Sequence, residues 1–138
     1  MTQFFADTDV IIDFLTKRDP FSEEIKQLFQ LAAENRVKIC VSSVTMVNAN
    51  YIIGRLESSV QAWNKVEKLA KLVEVLNVGG QTIRLALSSK FRDFEDAVQH
   101  MCAKEANLGI IVTRNVKDFK ESELSVLTPR EILLKIKL

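Results

Sequence analysis

The chain has 138 residues, 47% of them apolar and 27% charged, a balance that excludes the disordered and fibrous classes and suits one globular domain over residues 1–138. Nineteen basic against 18 acidic residues leave a net charge of +1, so any grip on a phosphate backbone must come from local clusters rather than a global field. Apolar runs far short of a membrane span, an N-terminus without a secretory pattern and two cysteines without paired spacing predict a cytoplasmic protein with reduced thiols, no membrane and no zinc site.

In chain order, the apolar run Gln3–Ala6 predicts a first strand, and Val10–Thr16 a first helix ended by Pro20. Ser22 reads as the N-cap of a second helix, with Glu23 and Glu24 in its first turn and Ile25, Leu28, Phe29 and Ala32 at helical spacing. A strand over Lys38–Val41 leads into a helix over Val44–Leu56, and capping explains Ser42, Ser43 and Thr45 at its start. Another helix covers Val60–Leu72, with Lys65, Lys68 and Lys71 marking its exposed face, before a strand over Leu72–Val75 that reaches towards Val78. Gly79-Gly80 breaks the chain ahead of a helix over Ile83–Ser88. The best-patterned later helix is Phe94–Ala106, where Ala97, Val98, Met101, Cys102 and Ala106 form a stripe and Gly109 is the stop. Strands over Gly109–Val112 and Ser125–Leu127 follow, and Thr128 with Pro129 opens a last helix over Arg130–Ile136. Short apolar strands separated by helices predict an α/β fold with a parallel sheet covered on both faces. Ligands of such sheets bind at the carboxyl ends of the strands, near a switch in strand order.

Acids and amides gather where those ends are expected. Asp7 follows the first strand with Asp9 two residues on, and Asn48 lies in the helix after the second strand. Asp96 sits in the first turn of a helix beside Asp93 and Glu95, and Asp118 closes the segment Thr113-Arg114-Asn115-Val116-Lys117. Taken singly, Asp7 is explained as an N-cap, and Asp93 and Glu95 by the helix dipole. Converging carboxylates repel one another unless a cation neutralises them, and Mg²⁺ or Mn²⁺ suits an all-oxygen shell. Such an ion points to phosphoryl chemistry, with nucleic acid as substrate.

Other residues have plainer readings. His100, the only histidine, is expected to pack or lie at the surface, and Asp13 to cap or to pair with Lys17 or Arg18. Tyr51 and Trp63 could stack on bases, whereas Phe4, Phe14, Phe29 and Phe94 fall at core spacing.

Five strings, FFADTDVIIDFL, VSSVTMVNANYII, DFEDAVQHM, IIVTRNVKDF and LTPREIL, come in the order and approximate spacing of one family. In them the chain resembles the PIN-domain superfamily of metal-dependent ribonucleases, which includes the VapC-type toxins of bacterial toxin–antitoxin pairs. The resemblance implies a three-layer α/β/α sandwich around a parallel sheet of about five strands. It implies metal-assisted hydrolysis of RNA, with Mg²⁺ or Mn²⁺ held by Asp7, Asp96 and Asp118, which are then the catalytic acids. Asp9, Asn48, Asp93, Thr113 and Asn115 form the supporting shell, and Arg114, Lys117 and Lys120 border the loop where the RNA backbone would run. Asn48 stands where the family normally carries glutamate, as in a bacterial subgroup with asparagine there, and Asn115 where many members carry a further acid. These amides favour one metal over two. A protein antitoxin and a homodimer built on the helices at 44–56 and 60–72 are the partners so implied.

Two other classes stay open on the residues. Asp7-Thr8-Asp9 is similar to the aspartate pair of haloacid-dehalogenase-like phosphatases, but the later acids here open a helix instead of following a strand. A receiver domain lacks its phosphoacceptor, since Asn77-Val78-Gly79-Gly80 follows the middle strand. The two amides also suit a non-catalytic module of the same fold that binds RNA or protein.

Overall fold

Phe4, Phe5 and Ala6 are wholly buried, and the alternation of an extended chain sends Phe4 and Ala6 to one face and Phe5 to the other. A strand buried on both faces needs helices on either side of its sheet. The computed structural model, which describes residues 1–137, has this arrangement. Strands β1 (Thr2–Ala6), β2 (Val37–Ser42), β3 (Glu74–Leu76), β4 (Ile110–Val112) and β5 (Ser125–Leu127) form one parallel sheet in the order β3-β2-β1-β4-β5. Helices α1 (Thr8–Thr16), α2 (Ser22–Ala33), α3 (Ser43–Leu56), α4 (Ser59–Ala70), α5 (Gly80–Leu87), α6 (Phe94–Glu105) and α7 (Pro129–Lys137) connect and flank it.

Phe4, Ile39 and Val112 pack against Val10 and Ile11 of α1, Leu28 of α2, Ile53 of α3 and Ile132 of α7. On the opposite face Phe5, Cys40 and Ile111 meet Cys102 and Ala103 of α6 and Phe119. Helix α5 packs on α6 through Ile83, Ala86, Ala97 and Val98. The expected three-layer α/β/α architecture is therefore present. Among the described residues no helix is long and apolar enough to cross a membrane.

Strand order grows from β1 towards β3 on one side and from β4 towards β5 on the other, so the switch lies between β1 and β4. Their exits are fixed in register: Asp7 N–H donates to the Val112 carbonyl at 2.9 Å, and Thr113 N–H to the Leu127 carbonyl at 3.0 Å. Asp7 and Thr113 thus leave neighbouring strands side by side at the crevice where such folds bind ligands.

Several expected boundaries move for identifiable reasons. Helix α1 ends at Thr16 as expected, but the stop is Lys17 in the left-handed conformation (φ 54°) and not Pro20. Ser22 is already inside α2; its hydroxyl donates to Asp19 at 2.7 Å and caps nothing. Helix α5 starts at Gly80, three residues earlier than its apolar pattern indicates, with the Thr82 hydroxyl accepting from Gly79 N–H. Left-handed Asn107 (φ 60°), and not Gly109, follows the cap of α6. Phe94, expected in the core, is 50% exposed at the first position of α6.

This contrast predicts unequal truncations. Phe4→Ala should lower unfolding free energy by about 3–5 kcal/mol, whereas Phe94→Ala should stay within about 0.5 kcal/mol. Urea denaturation of both variants checks this; equal losses would contradict the assignment of Phe94 to the surface.

Candidate active site

Asp7 is the N-cap of α1 and is 6% exposed at the end of β1. Its Oδ1 accepts from Thr8 N–H at 2.8 Å and, at 3.5 Å, from the Gln99 side-chain amide. Its Oδ2 lies 2.9 Å from the Thr113 hydroxyl, which donates to it or to Asp9 Oδ2 at 3.1 Å. All these donors are neutral. Burial first, and the neighbouring Asp9 second, push the Asp7 carboxyl up to about 7 against the pull of the hydrogen bonds.

Half-buried Asp96 stands in the first turn of α6, whose N-cap Asp93 accepts from Asp96 N–H at 3.0 Å. Desolvation raises its carboxyl to about 7, and the charges of Asp7, Asp93, Asp118 and Glu95 push the same way. Asp118 is exposed in a 3₁₀ turn (Val116–Phe119), beside exposed Lys117 and close to exposed Lys120. The expected acids therefore sit in one electrostatic field at the strand exits. Among the described residues, however, no three His, Cys, Asp or Glu side chains gather closely enough to hold an ion by themselves.

A second acidic group lies beside the first. Asp9 Oδ2 accepts from Arg114 N–H at 3.2 Å and from the Asn115 side-chain amide at 3.0 Å, while its Oδ1 is buried with no hydrogen-bond partner among the described residues. Burial raises the Asp9 carboxyl, and nearby Arg114 opposes this. Asp13, wholly buried, pairs with Arg114 Nε at 2.5 Å and Nη2 at 3.4 Å, not with Lys17 or Arg18. The same guanidinium lies 4.3 Å from the Phe21 ring centre. Arg114, expected to border the RNA path, is thereby tied into the fold.

Asn48 donates to Glu95 at 3.4 Å across the start of α6. His100 is 1% exposed, packs its ring at a tilt against Phe91 with centres 5.0 Å apart, and has neither ring nitrogen hydrogen-bonded among the described residues. Burial lowers its proton affinity, which fits a neutral packing residue. Lys65, expected on an exposed face, reaches the Leu15 carbonyl at 2.9 Å and Glu57 at 2.8 Å.

Gln99 escaped the sequence reading. Its side chain is fully buried and links Asp7, Thr8, Ser42 and Thr45. The available signal was a glutamine inside an apolar stripe, three residues after Asp96 and hence on the same helical face.

The donor set consists of hard oxygens, and it has an uncompensated buried carboxylate, an orphaned Asp9 oxygen and a second acid of raised proton affinity. It fits a hydrated Mg²⁺ or Mn²⁺, since Mg²⁺ keeps several waters and needs only one or two carboxylates. Fold and site together define a doubly wound α/β protein with acidic side chains gathered near its switch point. A family model for the PIN domain matches residues 3–117, and the chain belongs to that family. Its fold is similar to that of the DNA-bound VapBC complex from Salmonella typhimurium (24% identity, 94% of this chain and 99% of the other, TM-score 0.72). It is also similar to that of VapBC2 from Rickettsia felis bound to a promoter DNA fragment (17% identity, 92% and 98%, TM-score 0.72). A third likeness is to VapC20 of Mycobacterium tuberculosis, a toxin that cleaves the sarcin–ricin loop (16% identity, 78% and 86%, TM-score 0.62). Comparison with curated proteins returns no significant match.

Two predictions follow from this electrostatic layout. The folded protein holds the Asp96 proton more tightly than the unfolded chain does, whose carboxyl titrates near 4. Stability is therefore lost as pH rises from about 4 through about 7. Metal-free Asp96→Asn should melt above wild type at pH 8, and the gap should narrow steadily on acidification; a gap independent of pH would contradict the assigned repulsion. Arg114→Ala should cost about 3–5 kcal/mol, because it leaves Asp13 buried and unpaired. Chemical denaturation tests this, and a neutral result would mean that Asp13 finds another partner.

Proposed function

We propose that this protein is a divalent-metal-dependent endoribonuclease that hydrolyses RNA phosphodiesters, and that it acts as the toxin of a toxin–antitoxin pair. The observation that carries the reading is the placement of Asp7, buried at the exit of β1 among neutral hydrogen-bond donors, and of Asp96 in the first turn of α6, where the charge of Asp7 reaches it. A cationic ligand removes the repulsion that the chain leaves uncompensated.

Asp7 and Asp96 would hold the ion, with Asp118 at the rim. A bound Mg²⁺ or Mn²⁺ supplies Lewis acidity and neutralises charge on the phosphoryl group. The chain's residues do the rest. Thr113 and Thr8 fix the Asp7 carboxylate by hydrogen bonds, and the Asn115 amide turns Asp9 towards the Thr113 hydroxyl. Exposed Lys117 and Lys120 face the RNA backbone, a steering role that the tie of Arg114 to Asp13 leaves to them.

A protein antitoxin and a second copy of the chain are the proposed partners, in a cytoplasmic setting. The face of α3 and α4 suits such contacts: Val47 and Trp63 are exposed along a groove of about 460 Å³, and Tyr51 and Val60 are exposed on the same two helices. One observation favours a non-catalytic RNA-binding module instead: the acids do not form a three-ligand group among the described residues.

Cleavage of a mixed structured RNA with Mg²⁺ or Mn²⁺ decides between them. Wild type should cut, chelation should stop it, and folded Asp96→Asn should be slower by at least about a hundredfold. No cutting by wild type across several RNAs with either ion would sink the enzyme reading.

A further inference from the structure

We propose that Gln99 is the positioning residue of this cleft: its carboxamide ties the exit of β1 to the exit of β2 and so fixes the Asp7 carboxylate against the helix that carries Asp96. The inference rests on the ribonuclease reading for its purpose, though not for its geometry.

The two ends of the carboxamide have different tasks. Ser42 Oγ accepts from Thr45 N–H at 3.0 Å as the cap of α3, which leaves its own proton to donate to Gln99 Oε1 at 2.6 Å. With Oε1 fixed on β2, Nε2 faces the other way. It lies 2.7 Å from the Thr45 hydroxyl, 2.9 Å from the Thr8 hydroxyl and 3.5 Å from Asp7 Oδ1. A reversed amide would set a carbonyl oxygen against the carboxylate. This orientation gives the two N–H protons to the Thr45 and Thr8 hydroxyls, with Asp7 Oδ1 at the edge of reach, so Gln99 holds Asp7 chiefly through Thr8, whose N–H donates to Asp7 Oδ1 at 2.8 Å.

Three chain segments meet at this one group. Thr8 follows Asp7 at the start of α1, Ser42 and Thr45 open the helix that carries Asn48, and Gln99 itself lies three residues after Asp96 on α6. The two threonine hydroxyls also contact each other at 2.9 Å, which closes the network. Gln99 is 0% exposed, so its donors do not exchange partners with bulk solvent. Among the described residues Asp7 has no ion-pair partner to fix its rotamer, and neutral donors hold it. A leucine or methionine would fill the same volume, yet it would hold neither helix start and leave three hydroxyls without their common partner.

The test uses full-length, metal-free protein with Mn²⁺ as the probe, its binding read by electron paramagnetic resonance, and thermal melts alongside. Gln99→Met should weaken Mn²⁺ roughly ten- to hundredfold, the range for groups that orient a ligand, and should lower Tm. The double variant Thr45→Val/Gln99→Met removes hydrogen-bonding groups on both sides and should recover part of the Tm without recovering the affinity. Unchanged affinity in Gln99→Met, or joint recovery of Tm and affinity in the double variant, would reduce Gln99 to a packing role and overturn the proposal. Side-chain amide resonances of Gln99 supply a readout without metal. They should shift in Asp7→Asn and stay in place in Asp118→Asn. Should wild type bind no Mn²⁺, the metal reading falls, and Gln99 resonances unmoved by Asp7→Asn would overturn the positioning role separately.

Discussion

A carboxylate buried at the end of the central strand, with no cation against it among the described residues, is the constraint around which this molecule is arranged. Asp7 cannot move away: its backbone N–H continues the sheet to Val112, and its side chain begins α1. Parallel strands need helices that start at their exits, and a helix start favours an acid. Ordinary capping would leave such an acid in water. Here Thr113 just after β4 and Gln99 from α6 cover it, so the capping residue becomes a group of raised proton affinity. The β1–β4 switch makes this covering geometrically available, because only there do two strand exits lie adjacent with their connections leaving in opposite directions.

Charge is handled differently a turn further along α1. Asp13 is also buried, but Arg114 reaches it in an ion pair and stacks over Phe21. The guanidinium comes from the residue directly after Thr113, which contacts Asp7. One short segment therefore brings a neutral hydroxyl to the first acid and a cation to the third. Asp9 lies between them, with one oxygen among three donors and the other without a partner. Had the arginine reached Asp7 instead, the site would be a settled structural ion pair with little affinity for a metal. Keeping the fixed cation at Asp13 leaves a gradient of unneutralised charge that opens towards Asp96.

What the sequence conveyed depended on whether the deciding interaction was local. The five strands, the two-sided burial of the sheet and the acids at strand exits follow from short-range apolar pattern and capping chemistry, and they were legible. The ends of α1 and α6 were legible to within a residue, but not the residues that make them, because glycine and proline were taken as the only stop signals. Lys17 and Asn107 adopt left-handed backbones under the demands of packing, which no local preference for lysine anticipates. The pairing of Asp13 with Arg114 spans 101 positions and that of Gln99 with Asp7 spans 92, so nothing nearby in the chain marks either. His100 gave the opposite lesson. Chemical type made it tempting, yet its environment of Phe91 and buried apolar neighbours removes its titration from use.

The amides bear most directly on the chemistry. Read along the chain, Asn48 and Asn115 are neutral where the family resemblance implies acids. In space each donates to a carboxylate, Asn48 to Glu95 and Asn115 to Asp9. Charge lost at one position therefore lies one hydrogen bond away on another. An amide oxygen ligates hard cations without neutralising them, and its NH₂ group can at the same time hold a neighbouring acid in place. The field at the cleft mouth then depends on which acids the amides orient, not on how many of the usual positions are acidic. A hydrated ion that needs only one or two direct carboxylates is compatible with that distribution. In the proposed site the two amides orient neighbouring acids, Asn48 on Glu95 and Asn115 on Asp9, around the proposed ligands Asp7 and Asp96.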